Sequence, residues 1–223
     1  MRALGVVMLD TRFPRLRGDI GCAETFAFPV RYRVVPGALP RRVVIESDRS
    51  LLGPFIGAAQ ALEAEGCAAI STSCGFLALF QNEMQAAVGV PVWTSSLLFV
   101  AAIEATLPAG RRVGIVTADA ASLTAAHLAA VGAPADAPIE GLGVDSAFHR
   151  TLLDNRAELD AAEAQAATVA AATRLVARHP NLGAIVLECT NMPPYADAVR
   201  AATGLPVHDI TTLIEARFGA RPR

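Results

Sequence analysis

The chain has 223 residues, enough for one large domain or two small ones, and 53% of them are hydrophobic with only 5% aromatic, the composition of a globular α/β protein with alanine-rich helices. A formal net charge of −2 and the lack of any basic run leave no electrostatic case for nucleic acid or a membrane surface. The sequence contains no lysine, which excludes a pyridoxal phosphate Schiff base and a Gly-x-x-x-x-Gly-Lys phosphate loop.

The opening MRALGVVMLDT turns polar too soon for a signal peptide or a membrane span, so a cytoplasmic location is expected. Strand-length apolar runs then fall at Leu4–Leu9, Arg42–Ile45, Ala68–Thr72, Val90–Trp93, Val113–Val116, Ile139–Leu142, Ala184–Leu187 and Leu205–His208. Between them, Gly53–Glu65, Ser122–Val131 and Ala157–Arg178 have helical character, and Arg31 and Arg33 alternate with apolar neighbours as in an edge strand. Strands separated by helices predict mainly parallel sheets with right-handed crossovers. No Gly-x-Gly-x-x-Gly follows the first strand and no Cys-x-x-Cys pair occurs, so neither a dinucleotide site nor a zinc site is expected.

The chain repeats itself. AAISTSCGFLALFQNEMQAAVGVPVWTSSLL, from Ala68, overlays GAIVLECTNMPPYADAVRAATGLPVHDITTL, from Gly183, without a gap. Cys74 meets Cys189, and Gly89, Pro91 and Val92 meet Gly204, Pro206 and Val207; earlier, Gly5-Val6-Val7 with Asp10 matches Gly114-Ile115-Val116 with Asp119. Two similar α/β lobes are expected, residues 1–98 with about 208–223 on the Cys74 side and 99–207 on the Cys189 side. Each lobe is expected to be an αβα unit with a short, mainly parallel sheet. Both cysteines follow a strand, at the sheet edge where parallel sheets bind ligands. A two-fold relation between the lobes would set the thiols on opposite walls of one cleft.

Opposed thiols suit proton transfer at a carbon: one takes a proton from one face, the other returns one to the opposite face. Amides at the start of a following helix would depress a thiol pKa, and those of Gly75–Phe76 and Thr190–Asn191 would hold a carboxylate or an enolate. Cys22 and Cys67 have no matched partner and read as packing residues. The loop Thr11–Gly21, with Arg12, Arg15 and Arg17, reads as a lid whose arginine could clamp a second carboxylate. Structural roles are expected for His127, His149, His179 and His208, although His208 matches Trp93 near the cleft edge.

Asp10 at the end of the first strand, Ser71-Thr72-Ser73-Cys74-Gly75, Val113–Thr117 and Glu188-Cys189-Thr190-Asn191 together make the chain resemble the aspartate/glutamate/hydantoin racemase superfamily. The resemblance implies two pseudo-symmetric lobes, no cofactor, a homodimer, and a carboxylate-bearing small molecule as substrate. It implies Cys74 and Cys189 as the acid/base pair, with Asp10, Thr72, Gly75, Phe76, Thr117, Thr190 and Asn191 at the substrate. Thr190 would bind the α-carboxylate, and Asp10 would lie close to Cys74.

Four positions depart from the amino-acid racemases. Gly75-Phe76 replaces Asn-Thr, Asn191 replaces an ionisable residue, and Glu188 replaces glycine, where it could act as a base or raise the Cys189 pKa. The expected activity is racemisation or epimerisation of a small carbon acid such as aspartate or glutamate. Hydantoin racemisation, maleate cis–trans isomerisation by a cysteine nucleophile, malonate decarboxylation, and a two-lobed small-molecule binding protein are the alternatives.

Overall fold

Eight strands form two separate sheets in a computed structural model that describes residues 2–218. Met1 and residues 219–223, which the expected first lobe includes, lie outside the described residues. The first sheet holds β1 (Ala3–Met8), β2 (Val30–Val34), β3 (Cys67–Thr72) and β4 (Val92–Trp93) in the order β2-β1-β3-β4. The second holds β5 (Arg112–Thr117), β6 (Ile139–Gly141), β7 (Leu182–Leu187) and β8 (Val207–His208) in the order β6-β5-β7-β8. Every pairing is parallel. The two orders are the same order, so the internal repeat is a repeat of topology, down to a register shift at Ala3/Leu4 and its counterpart at Arg112/Val113.

The central strands are buried on both faces, which is why β1, β3, β5 and β7 read as near-continuous apolar runs. The edge strand β2 alternates instead, leaving Arg31, Arg33 and Val34 exposed, with both arginines paired to Glu65. β4 and β8 are short. Each follows a proline, Pro91 or Pro206, that lacks an N–H for the ladder but accepts from Ile70 or Ile185 through its carbonyl.

The helices Leu52–Ala64, Ala125–Ala130 and Ala161–Arg178 occupy the expected helical stretches. Thr124 and Asp160 cap the last two, which sets their starts later than the apolar pattern alone suggests. Arg42–Ile45 is not a strand. Pro40 sits in the first turn of a helix, Pro40–Val44, because its fixed φ and missing N–H suit that position. Its buried Val43 and Val44 would satisfy either reading of the pattern. The C-terminal helix Ile210–Phe218 packs Ile210 and Ile214 against Leu4, Val6 and Met8 of the first sheet.

Cys67 lies 3.3 Å from where a Gly5 Cβ would stand, as Leu182 crowds Gly114 in the second lobe; Cys22 donates to Glu24. Both are packing thiols. Among the described residues no helix is long and apolar enough to cross a membrane.

Candidate active site

The two lobes meet at the carboxyl ends of β3 and β7. The Ser73 amide donates to Val7 O (2.9 Å) and the Glu188 amide to Val116 O (2.8 Å), so each ladder runs one residue beyond its strand and then releases the chain. The next residue in each case is a cysteine. Two contacts stitch these ends across the lobes: Thr190 Oγ1 donates to Ser73 O (2.7 Å) and Ser96 Oγ to Leu187 O (2.8 Å).

Cys74 and Cys189 line one cleft between the sheets. Leu9, Phe13, Val44, Phe76, Leu152 and Leu153 supply its apolar wall, and Thr11, Arg15, Ser73, Glu188, Thr190 and Asn191 its polar groups. All four cysteines are free thiols. Cys74 opens a 3-10 turn, Gly75–Phe80, and Cys189 Sγ lies 3.7 Å from Asn191 Oδ1.

The expectation of depressed thiol pKa values is overturned. Burial, followed by the neighbouring charge of Glu188, pushes Cys74 up to about 12 and Cys189 well above the ordinary thiol range. Backbone N–H groups at Phe76, Leu77 and Asn191 do oppose the shift, as helix-start amides should. They are outweighed, because removing a charge from water costs more than one or two amides return.

Glu188 is wholly buried between the lobes. Its Oε2 accepts from Thr117 Oγ1 (2.7 Å), and burial raises its carboxyl to about 7. Thr117, expected to line the cleft, instead holds this carboxylate. Gly75 is the residue that makes room for it. A Cβ there would stand 2.7 Å from Glu188 Cδ and overlap Oε1 and the Glu188 carbonyl oxygen.

Gly75, Phe76, Thr190 and Asn191 line the cleft with the thiols. Thr72 and Asp10 are engaged elsewhere. Thr72 Oγ1 bonds the carbonyls of Cys74 and Thr94 and shapes the turn from behind. Asp10, expected beside Cys74, accepts from the Gly37 amide through Oδ2 and from Asn155 through its carbonyl. Phe76 packs edge-on against His127, whose ring is buried and whose pKa burial lowers. His149 pairs with Asp119 at 3.2 Å.

The loop Thr11–Gly21 does cover the cleft, but through one arginine. Arg15 bonds Asp19 (3.2 Å) and Thr11 (2.7 Å) and lies over the Phe13 ring at 4.8 Å. Asp19 also accepts from Asn191, which ties the loop to the second cysteine turn. Phe13, Leu152 and Leu153 line the cleft and Asp19 braces its Arg15 and Asn191, and the sequence singled out none of the four. The Arg15–Asp19 spacing was the one available signal; the leucine pair reads as ordinary core.

Residues 46–215 match the model of the family described as Asp/Glu/hydantoin racemase. The chain is 33% identical over 234 residues to a dimethylsulfoniopropionate lyase of Durusdinium sp. clade D, covering 98% of this chain and 74% of that protein. It is 33% identical over 227 residues to dimethylsulfoniopropionate lyase 7 of Emiliania huxleyi, covering 94% of this chain and 64% of that one. It thus spans about two thirds to three quarters of the length of these relatives. Among solved structures, a glycine-to-cysteine mutant of arylmalonate decarboxylase superposes with a TM-score of 0.65 at 18% identity, over 99% of this chain and 95% of that one, a likeness of fold.

Proposed function

The chain belongs to the Asp/Glu/hydantoin racemase family, and from that premise we propose that it is a lyase that cleaves dimethylsulfoniopropionate into dimethyl sulfide and acrylate. The observation that carries the reading is the 33% identity, over nearly the whole chain, to a protein named for this substrate, with Cys74 and Cys189 lining an apolar cleft as the chemical groups available.

In this reading one thiolate removes the proton α to the substrate carboxylate. The C–H electrons form the double bond, the bond from the β-carbon to sulfur breaks, and its pair leaves with dimethyl sulfide. One proton is released per turnover. The opposite thiol, still protonated, donates toward the carboxylate as it gains enolate character.

The cleft chemistry suits such a substrate. A sulfonium has no N–H to satisfy, and its methyl groups can sit among the apolar residues Leu9, Val44, Phe76, Leu152 and Leu153 that line the cleft. Arg15, which also pairs with Asp19, is the cation on the cleft wall for the carboxylate end. Reduced thiols are required, so the reading carries a reducing, cytoplasmic setting.

Racemisation of a small carbon acid such as aspartate or glutamate is the second reading. The matched cysteines favour it, since elimination needs one base and stereochemical inversion needs one on each face.

The purified protein is incubated with dimethylsulfoniopropionate, with dimethyl sulfide followed in the headspace and acrylate by NMR. Aspartate, glutamate, a hydantoin and maleate are run in heavy water alongside. Dimethyl sulfide lost in both Cys74→Ala and Cys189→Ala is the expected result. Amino-acid racemisation without dimethyl sulfide replaces the lyase with the racemase, and substrate binding without turnover of any compound ends both.

A further inference from the structure

The loop over the cleft carries its own charge balance. Arg15 Nη1 donates to Asp19 Oδ1 (3.2 Å) and Oδ2 (3.3 Å), and both side chains are almost out of water. Both are also held in place by other partners. Asp19 accepts from the Gly21 amide (2.6 Å) and from Asn191 on the second cysteine turn. Arg15 donates from Nη2 to Thr11 (2.7 Å) and lies over the Phe13 ring. A Cβ at Gly21 would stand 3.1 Å from Arg15 Cδ and Nε, so that glycine leaves the space the arginine stem fills. Among the described residues Arg15 is the one cation lining the cleft, and Glu188, the one carboxyl lining it, can add only negative charge.

A ligand therefore enters a cleft whose positive charge is already matched from behind. A guanidinium has five N–H groups, so one carboxylate can still bond to Arg15 beside its present partners. A second carboxylate would find no further cation, and an unpaired charge in an apolar, water-poor site is strongly disfavoured. A cation on the ligand itself removes the imbalance. We propose that Asp19 is a specificity-determining residue: held against Arg15, it restricts the cleft to ligands whose one carboxylate is accompanied by a positive group on the same molecule, betaine-type zwitterions, and turns dicarboxylates away. The charges of the pair reach the reacting groups, since that of Asp19 acts on Cys189 and that of Arg15 on Cys74. The inference rests on the cleft being the substrate site of the proposed lyase. It sets aside the expectation that a loop arginine clamps a second carboxylate, and it weighs against aspartate and glutamate as substrates.

Three ligands of matched shape are titrated by calorimetry into wild type and Asp19→Asn. The first is β-alanine betaine, a propionate with a terminal trimethylammonium group. The second is its all-carbon isostere, with tert-butyl in place of trimethylammonium, and the third is succinate, with a second carboxylate there. None carries the sulfonium leaving group, so binding is read apart from turnover. Wild type is expected to bind the betaine at least about tenfold more tightly than succinate. Asp19→Asn keeps the shape of the side chain and removes its charge, so the preference for betaine over succinate should fall at least about tenfold. The isostere, with one negative charge, should gain less on the betaine than succinate does. An unchanged preference in the variant, or succinate binding wild type as tightly as the betaine, overturns the proposal. Should Asp19→Asn fail to fold, the wild-type order decides it. Betaine preferred in wild type, with no dimethyl sulfide released from dimethylsulfoniopropionate, ends the lyase reading and leaves the charge selection standing.

Discussion

Gly75 and Glu188 share one space across the lobe boundary, the first giving up its side chain so that the second can keep a carboxylate there. In the repeat, Gly75 corresponds to Thr190, whose hydroxyl reaches the Ser73 carbonyl from the other side. The two lobes therefore meet through related contacts in which one side chain has been exchanged for the other lobe's carboxylate.

Gly75→Ala should destabilise the protein by roughly 1–3 kcal/mol, the usual cost of forcing extra volume into a packed site. Adding Glu188→Ala should restore only part of this, because the Glu188 carbonyl oxygen remains in the way. Urea unfolding of the single and double variants measures both effects. Full recovery in the double variant would mean that the backbone yields freely there.

Cys74→Ala and Cys189→Ala should each lower turnover by about 10²–10⁴-fold, the range for losing a positioned acid or base. Each should leave the midpoint of thermal unfolding within a few degrees of wild type. Either variant turning over within threefold of wild type would remove that thiol from the chemistry.

Stability should fall as the pH rises through the Glu188 titration. Its carboxyl is raised to about 7 from an ordinary 4.5, so the folded chain holds a proton that the unfolded chain has released. That stabilisation is complete below about pH 4.5 and lost as the pH passes 7; for a shift of this size it is on the order of 3 kcal/mol. Glu188→Gln should therefore gain on wild type between pH 4.5 and 7 and run parallel to it outside that window. Chemical denaturation at each pH reads the difference, and a constant difference would show that Glu188 titrates normally.

Asn191→Ala should loosen the covering loop, since it removes the donor that joins Asp19 to the second cysteine turn. Arg15 would keep its Asp19 partner, so folding should change little. The expected result is a KM raised by about fivefold with a smaller change in kcat, the pattern of weakened substrate enclosure. A fall confined to kcat would instead place Asn191 at the reacting atoms.

Much of the fold could be read from the sequence because strand periodicity and the repeat reported the same thing. Buried parallel strands produce unbroken apolar runs such as Val113–Val116, and a duplicated topology writes them twice in one register. The reading failed at Arg42–Ile45, where two buried valines fit a strand or a helix and only Pro40 at the helix start decided. It failed again for the thiols. A cysteine before a turn implies helpful amides, but the extent of burial that outweighs them is a property of both lobes together.

By itself, then, the sequence determined most of the strands, their duplication and the pairing of Cys74 with Cys189 in the repeat, because these are encoded in periodicity and register along one chain. Only the tertiary structure decided that Glu188 lies against Gly75 with one oxygen unpaired, that Thr117 serves that carboxylate, and that Arg15 is already balanced by Asp19. Those relations join residues distant in the chain across a lobe boundary. Their energies come from excluded water and close contact, which no local pattern records.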